Sequence, residues 1–468
     1  MKKTFVFIIA LQVFSLLTAA TPDFSMIGFA TLNGGTTGGE GGQVVRPTNF
    51  EELKAYAEDK TTPYIIEIDR EINTGLTAYI EEGTGKITTE SASAIKTTYG
   101  EIIRLGSNKT LIGIGNKAFL NRIGIVVQCQ SNIIIRNIKF TMQDVPISKA
   151  GENKIVGFRN GAEVLIGDPD CICIQADDDN IAKDKRESFN IWIDHCEFYN
   201  YPKSTEHKDR YDGLLDIKNN VQFVTVSWCH FHDHSKACLF GKGNSDNFDR
   251  TTTLHHNYFQ NIQGSRLPLL RHGRHHYYNN YQENCLDGLD PRINSNSYIE
   301  NCYFKDTKQP ICDADGGLVT QINNIFENCK RIPTGEENID ESKVDKYNTF
   351  TATTFIPSKS YNYNTDKTTD VPDIVKAHAG VGKLPNGTTN TQNPNTGNIQ
   401  LNIYTKDKNI HIETDNGNLI RIFSGDGKIQ FSAYSQGYST IFSPAEKGFY
   451  VIQITDKAGN KTSKKTLL

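Results

Sequence analysis

The 468-residue chain lacks a large charge of one sign, a second long apolar run and a dense set of cysteines. Its formal net charge is −4, so the composition does not attract nucleic acid, and an anionic partner must be met by a local cluster or a bound cation. After residue 20 no segment is long and apolar enough to span a bilayer. The ten cysteines are too dispersed to form the framework of a small stapled scaffold, and we expect most of them to be buried thiols.

The N-terminus has the order of a secretory signal peptide. Two lysines precede an apolar stretch from Phe5 to Leu17, which is followed by small residues. We therefore expect residues 1–20 to be a signal peptide and the mature chain to begin near Thr21. A membrane anchor is the alternative, which the short apolar stretch, interrupted by Gln12, disfavours.

A short motif recurs along the middle of the chain, in which a strand-like run leads to Asn or Cys and then to an aromatic residue. Its equivalent positions, spaced 33, 28, 23, 22 and 22 residues apart, are Cys196, Cys229, Asn257, Asn280, Cys302 and Asn324. Short strands at a regular interval are typical of a solenoid in which each repeat forms one coil. The sequence therefore predicts an all-β fold, a parallel β-helix, with Asn side chains bonded to the next coil. A β-sandwich with similar strands by chance is the alternative.

The sequence on either side of the repeats has a different character. Residues 48–51 have capping-box spacing and predict a helix to about Asp59, which would cover the open end of the solenoid. Residues 383–398 are rich in Gly, Asn, Thr and Pro, which predicts a linker. After it, short runs in which apolar and polar residues alternate predict a small β-sandwich. The expected division is a signal peptide at 1–20, the β-helix at 21–382, the linker at 383–398 and the sandwich at 399–468.

Aspartates that precede or open two predicted strands form a candidate metal site of Asp168, Asp170, Asp212 and Asp216. Hard oxygen ligands favour calcium. Asp168 and Asp170 can share one strand face, and a neighbouring coil can bring Asp216 alongside. A straight strand would place Asp212 about 13 Å from Asp216, so we expect the chain to bend at Gly213. Ordinary turn aspartates are the alternative.

A second group of side chains is cationic and comprises Lys218, Lys236, Arg266 and Arg271. Pro268 lies between the two arginines and is unusual for a central strand. If these cations face the same groove as the carboxylates, the site suits a polyanion whose carboxylates are bridged by metal and held by Lys and Arg. A solvated basic face is the alternative.

Two further clusters have simpler interpretations. His230, His232 and His234 share a strand face but are spaced too widely for one zinc ion, so we expect them to stack between coils. The glycine-rich residues 34–42 lack the Gly-Lys-Ser/Thr ending of a phosphate loop and a following helix, so nucleotide binding is not expected.

Residues 28–330 resemble the pectate lyases of polysaccharide lyase family 1. The likeness lies in motifs that occur in the same order, at residues 28–30, 34–39, 108–113, 192–195, 216–218, 224–227 and 266–271. The resemblance implies a right-handed parallel β-helix. It also implies endo-cleavage of polygalacturonate or low-ester pectin by calcium-dependent β-elimination, which gives 4,5-unsaturated oligogalacturonates.

The resemblance also implies a role for each candidate residue. Arg266 would be the base that removes the C5 proton of galacturonate, and Lys218, Lys236 and Arg271 would contact substrate carboxylates. The four aspartates would bind Ca²⁺. A pectin lyase acting on methyl esters without calcium, a hydrolytic polygalacturonase and a non-catalytic pectin-binding surface protein are the alternatives. The carboxylate cluster disfavours the pectin lyase, and Arg266 disfavours the binding protein.

The tail resembles the C-terminal sorting domains of type IX secretion in Gram-negative bacteria. The similar residues are 447–452 and 464–468. The resemblance implies a protein that is secreted or held at the cell surface of a Gram-negative bacterium. We expect the protein to be a monomer. A carbohydrate-binding or spacer sandwich is the alternative for this segment.

Overall fold

The computed structural model describes most of the chain between residue 22 and residue 467. The described ranges are 22–73, 77–78, 97–98, 101–143, 154–159, 162–166, 170–202, 211–312, 315–333, 345–347, 350–384, 402–406, 409–414, 418–424, 428–435, 439–444, 447–455 and 461–467. The predicted signal peptide, Asp168 and nearly all of the predicted linker lie outside them.

Three long sheets of parallel strands stack coil upon coil, which confirms the predicted parallel β-helix. The first sheet contains Gln43–Val45, Tyr64–Ile68, Lys109–Gly113, Ser131–Arg136, Ser188–Asp194, Val221–Ser227, Thr251–His255, Arg274–Tyr278, Asn296–Glu300 and Leu318–Ile322. The second contains Glu71–Ile72, Phe119–Asn121, Lys139–Thr141, Glu197–Tyr199, His230–Lys236, Tyr258–Ser265, Tyr281–Glu283, Tyr303–Lys305 and Ile325–Glu327. The third contains Glu101–Arg104, Ile123–Gln128, Ile172–Gln175, Leu215–Lys218, Cys238–Phe240, Leu269–Arg271, Asp287–Arg292 and Gln309–Ile311.

Shorter pairings lie outside these three sheets. Thr77–Ala78 pairs with Thr97–Thr98, and Lys154–Arg159 with Ala162–Ile166, in antiparallel fashion. Arg331–Pro333 pairs in parallel with Asp345–Tyr347. Short 3₁₀ turns occur at Phe29–Thr31, Lys183–Lys185, Pro357–Lys359 and Thr368–Asp370.

Side chains of the same kind stack inside the solenoid from coil to coil. The rings of Phe140, Phe198, Phe231 and Phe259 form a column with centroid separations of 5.2, 4.9 and 5.0 Å. These separations match the spacing of about 4.8 Å between neighbouring strands. Stacking like residues therefore lets the same close packing recur over these four coils.

The recurrent asparagines bond to the neighbouring coil, as the sequence predicts. Asn257 Oδ1 accepts a hydrogen bond from the amide of Cys229 at 3.0 Å, and Asn280 Oδ1 accepts from the amide of Asn257 at 2.9 Å. Asn324 Oδ1 does the same for the amide of Cys302 at 2.9 Å. Each side chain satisfies a buried amide at a bend where the strand ladder is interrupted. The cysteines are free thiols and mostly buried, also as predicted.

A helix covers the N-terminal end of the solenoid, one residue later than the capping-box spacing indicates. Helix α1 spans Phe50–Glu58, and its N-cap is Asn49, whose side chain accepts from the amide of Glu52. Glu52 in turn accepts from the amide of Thr48 at 2.8 Å, one residue before the cap, so Glu52 rather than Glu51 supports this end of the helix. The apolar face of α1 joins the solenoid core, as expected of a cap.

Residues 350–384 return over the outside of the solenoid. Helix α2, Val371–His378, buries Val371 and Val375 against Tyr258 and Tyr281 of the second sheet. The amide of Gly382 donates to Asn137 Oδ1 at 2.8 Å, so this segment is anchored almost to the predicted linker. Among the described helices, none has the length and apolar character needed to cross a bilayer.

The C-terminal strands form two small antiparallel sheets with a core of their own. One sheet contains Asn402–Lys406, Asn409–Glu413 and Ser439–Phe442, and the other contains Leu419–Ser424, Ile429–Tyr434, Phe449–Thr455 and Lys461–Leu467. Isoleucines of both sheets meet in one buried cluster, as the predicted sandwich requires. The domain boundaries themselves stay a prediction.

We expect a chain that ends at Lys383 to keep the stability and activity of the full-length protein, because residues 350–383 remain on the solenoid. A chain that ends at Tyr347 loses α2 and should lose at least about 3 kcal/mol, the burial of two valines. Urea unfolding of the two truncated chains checks this. A clear loss of stability at Lys383 would show that the sandwich supports the solenoid.

Candidate functional site: an acidic cluster beside a row of cations

The outer face of the third sheet carries the predicted site. In the strand Leu215–Lys218, Leu215 and Ile217 lie in the core, so Asp216 and Lys218 point outward. Asp216 is in register with Leu239 of the next coil, and Leu239 with Leu269 of the coil after it. Alternation within a strand and register between strands together set which side chains share this face.

Three of the four predicted metal ligands come together. Oxygen atoms of Asp170, Asp212 and Asp216 lie within 4.8 Å of one another. Asp170 lies two residues before the strand that begins at Ile172, and Oδ1 of Asp170 accepts a hydrogen bond from the amide of Gly213 at 2.8 Å. Asp216 Oδ1 accepts from the amide of Leu239 at 3.0 Å. The predicted convergence of carboxylates from neighbouring coils is therefore found for the described members.

The chain bends beside Gly213, as expected, and glycine has a steric role there. A bend at Leu214 brings Asp212 back towards Asp216 before the strand begins. A Cβ atom on Gly213 would lie 2.1 Å from Asp216 Oδ1 and 3.1 Å from Asp170 Oδ1. The absence of a side chain thus leaves the space into which the carboxylates converge.

Lysines neutralise part of the negative charge in this cluster. Lys218 Nζ lies 2.9 Å from Asp170 Oδ2 and 3.0 Å from Asp216 Oδ2, and Lys236 Nζ lies 3.1 Å from Asp212 Oδ1. Even so, burial and the neighbouring Asp216 raise the pKa of Asp170 to about 8. Burial also raises the pKa of Asp216. The two lysines therefore do not supply enough positive charge to balance the three carboxylates.

The donor set fits a hard divalent cation. The ligands are carboxylate oxygens, which calcium prefers, and they converge from separate segments. Asp216 Oδ2 is buried and has no hydrogen-bond donor with suitable geometry, although Lys218 pairs with it. A divalent ion would offset the raised pKa values of both buried carboxyl groups.

Arg266 lies at the edge of the acidic cluster. Its Nη1 atom is 3.9 Å from Asp212 Oδ1, and its side chain is 25 % exposed. Its φ of 73° is in the left-handed region, which is uncommon for a residue with a side chain. Such strain occurs at functional sites where the surrounding structure imposes it. Pro268 precedes the strand Leu269–Arg271, so it removes no hydrogen bond from that strand.

The cationic row extends past the predicted residues. Arg266, Arg271 and Arg292 line one pocket of about 500 Å³. Arg271 is in register with Arg292 on the next coil and donates from Nη1 to the carbonyl of Gly241 at 2.7 Å. Burial, followed by the charge of Arg292, lowers the pKa of Arg271. All four predicted cations therefore lie on the side of the solenoid that carries the carboxylates.

Sequence reasoning missed Arg292 and its partner Asp290. Arg292 Nε donates to both carboxylate oxygens of Asp290, at 3.0 and 2.9 Å. Arg292 lies one coil beyond Arg271 but 21 residues after it, one fewer than the repeat interval of 22, so only a search that allows the interval to vary by one residue would have found it.

His230 and His232 each stack on a tyrosine ring of a neighbouring coil, as predicted, with centroid separations of 4.6 and 5.1 Å. The ring of His230 lies 4.3 Å from that of His232 and 4.6 Å from that of Tyr258. His234 donates from Nε2 to the backbone oxygen of Asp212 at 2.7 Å, which helps to fix the position of this candidate ligand. Burial lowers the pKa of His234 to about 4, so its ring is neutral.

Fold and site together define a parallel β-helix protein whose groove is suited to an extended polyanion. A family model described as pectate lyase matches residues 1–384. The pectate trisaccharide-lyase of Bacillus licheniformis is 36% identical over 367 residues, 77% of this chain and 88% of that protein. Pectate lyase A of Emericella nidulans is 31% identical over 316 residues, 66% of this chain and 78% of that protein.

Solved structures agree with this family. A pectate lyase from Bacillus sp. N165 in complex with trigalacturonate is 26% identical, with a TM-score of 0.55, and the match covers 77% of this chain and all of that one. A Bacillus subtilis pectate lyase, 21% identical with a TM-score of 0.57, shares the fold over 77% of this chain and 98% of its own. The chain belongs to the pectate lyase family and is therefore a polysaccharide lyase.

We expect Gly213→Ala to destabilise the protein by about 1–3 kcal/mol, the usual effect of forcing a methyl group into a packed site. The carboxylates would also be pushed apart, so any cation they hold should bind more weakly. Gly243→Ala is the matched control, since nothing lies within 4 Å of its added Cβ. Urea unfolding of both variants checks the prediction, and equal stabilities would contradict the steric role of Gly213.

Proposed function

We propose that the protein cleaves polygalacturonate, or low-ester pectin, by calcium-dependent β-elimination. The observation that carries this proposal is the juxtaposition of converging carboxylates with a row of Lys and Arg on one face of the solenoid. Carboxylates alone would repel an acidic polymer, whereas cations alone would give no binding site for a metal. A methyl-esterified substrate would leave both groups without a function, which disfavours a pectin lyase.

Calcium would be bound by Asp170, Asp212 and Asp216. The family pattern implies Asp168 as the fourth ligand. Calcium bound there would hold a substrate carboxylate and stabilise the negative charge that develops on it when the C5 proton leaves. Lys218 and Lys236, which pair with these carboxylates, are placed to contact substrate carboxylates as well.

Arg266 would accept the proton. Its guanidine would take the proton from C5, a double bond would form between C4 and C5, and the bond from C4 to the glycosidic oxygen would break. The departing oxygen then takes up a proton, so that the product ends in an unsaturated sugar. Arg271 and Arg292 would hold neighbouring substrate carboxylates by paired N–H donors.

The length of the groove supports endo action. Its side chains come from five successive strands of the third sheet, between Asp170 and Arg292, which span about 19 Å at the usual strand spacing. Such a groove can engage several sugar residues on either side of the cleaved bond. Release of trisaccharides, which the name of the Bacillus licheniformis relative describes, is the second candidate. Chromatography of early products distinguishes the two modes.

We also propose that the protein is exported, with the C-terminal sandwich as a type IX sorting domain. Two features of the sequence support this proposal. Residues 1–20 have the order of a secretory signal peptide, and residues 447–452 and 464–468 resemble such sorting domains. In a Gram-negative host with this system, the full chain should appear outside the cell. The chain ending at Lys383 should remain inside while keeping its activity.

Absorbance of the unsaturated product, followed with and without a chelator, tests the proposed reaction. We expect activity that requires calcium and falls at least a hundredfold in Asp216→Ala, since one ligand at the centre of the cluster is lost. Asp249→Ala is the matched control, because this carboxylate is 65% exposed and pairs with Arg274 outside the cluster. New reducing ends without absorbance would indicate a hydrolase, and chelator-insensitive elimination would rule out the role of calcium.

A base differs from a clamp in its dependence on pH. A guanidine can accept a proton only in its neutral form, and free guanidinium groups titrate above pH 12, so the rate should increase with pH. We expect Arg266→Lys to lower kcat at least a hundredfold, because the planar fork is lost and the acceptor moves. Arg271→Lys, which keeps a positive charge at a binding position, should mainly raise KM. A near-normal kcat in Arg266→Lys with a raised KM would place the base elsewhere.

A further inference from the structure

The turn that leads from the third sheet to the first is much longer on one coil of the groove than on its neighbours. The ten residues 241–250 form this turn, whereas the turns on the coils before and after it, 219–220 and 272–273, have two residues each. These short turns directly follow the strands that carry Lys218 and Arg271. Ordering the longer turn costs more conformational entropy, so it needs internal contacts to hold it in place.

A buried ion pair holds the long turn together. The guanidinium of Arg250 donates from Nη2 to Asp246 Oδ1 and, at 3.0 Å, to the backbone carbonyl of Asp246. Arg250 is 0% exposed and Asp246 is 3% exposed. The second carboxylate oxygen, Asp246 Oδ2, accepts from the amide of Lys242 at 2.8 Å and from the amide of Asn219 at 3.0 Å. Because Asn219 directly follows Lys218, the pair also joins the turn to the coil before it.

Arg250 joins the turn to the coil on the other side as well. Its Nη1 atom donates to the backbone carbonyl of Arg271 at 2.7 Å, and Nη1 of Arg271 donates to the carbonyl of Gly241 at 2.7 Å. The two ends of the turn therefore fix both the backbone and the side chain of Arg271. Among the described residues none accepts a hydrogen bond from Nη2 of Arg271, so this donor is left for a ligand in the groove.

Stability alone does not account for an ion pair at this place. Removing two charges from water is costly, and apolar residues of similar volume often stabilise a protein as well or better. An ion pair does, however, require a defined geometry of its partners. We propose that Asp246 and Arg250 are positioning residues for substrate binding, which hold the guanidinium of Arg271 in place beside the groove. The inference rests on the proposed function, in which Arg271 binds a substrate carboxylate.

The variant Arg250→Lys tests this role without a change of charge. A lysine can still pair with Asp246, but it lacks the planar fork that also reaches the carbonyl of Arg271. We expect the KM for polygalacturonate at saturating calcium to rise about three- to tenfold, as for one lost hydrogen bond. The value of kcat should stay within about twofold of the wild type and keep its pH dependence, because the proposed base, Arg266, lies beside Asp212 and outside this network.

The same change in an Arg271→Lys background separates positioning from a general loss of stability. If Arg250 acts through the guanidinium of Arg271, Arg250→Lys should raise KM no further once that guanidinium is absent. A merely structural effect would raise KM by the same factor in both backgrounds. Arg136→Lys is the matched control, because Arg136 is only 4% exposed and pairs with Asp194 at 2.7 Å, but on the first sheet. Thermal unfolding should show a comparable loss of stability in this control, and its KM should equal that of the wild type.

A second variant covers the case in which Arg250→Lys is too unstable to assay. Asp246→Asn combined with Arg250→Met removes both charges together, and neutral replacements of a buried ion pair often preserve stability. The combined variant still lacks the hydrogen bond to the carbonyl of Arg271. The same rise in KM is therefore expected, again only while residue 271 is arginine.

Two results would overturn the inference and leave the proposed function intact. One is a wild-type KM in both Arg250→Lys and the combined variant, and the other is an equal rise in KM with and without the guanidinium of Arg271. Failure of the wild type to cleave polygalacturonate, or an unchanged KM in Arg271→Lys alone, would overturn the proposed role of the groove and this inference with it.

Discussion

The hydrogen bonding of each coil to the next is the constraint on which the rest of this structure depends. It places residues 43 to 48 positions apart in the sequence, such as Asp170 with Gly213 and Lys218, within hydrogen-bond distance. The same pairing also fixes, for each residue of a strand, whether its side chain faces the core or points outward. With Leu215 and Ile217 in the core, Asp216 and Lys218 have only the outer face available. A slip of one residue would bury both charges and expose both apolar side chains.

The coil spacing also explains why the site is electrostatically strained. Because neighbouring strands lie close together, carboxylates on adjacent coils lie close together as well. A side chain at position 213 would push them apart, but this residue is glycine. Their mutual repulsion and burial raise the pKa of Asp170, and Lys218 only partly offsets this. A cluster of this kind is costly for folding and is retained where a cation completes the charge balance. Stability is thereby exchanged for the capacity to bind.

Sequence reasoning predicted the features that repeat and was less accurate for those that do not. The interval between Cys302 and Asn324 predicts a coil and an asparagine ladder, because one hydrogen-bonding pattern recurs at every coil. The three described candidate ligands and the four cations were identified by their charge, their positions along the strands and the family motifs. Arg292 was missed because no motif singles it out, although its register with Arg271 follows from the repeat. The cap at Asn49 differed by one residue because adjacent Thr48 and Asn49 can both cap, and only packing of α1 decides between them.

The sheets differ in what the terminal segments do to their outer faces. Residues 22–42 and 350–366 pack on the first sheet, and α2 packs on the second, so many polar side chains there are enclosed. His255, Trp228 and Tyr278 can then be buried among neutral partners. On the third sheet Lys218, Arg271 and Arg292 retain access to solvent, which fully ionised side chains need unless they are paired. The same alternation therefore yields an open charged groove on one side and enclosed polar side chains on another, and the difference follows from which faces the chain ends cover.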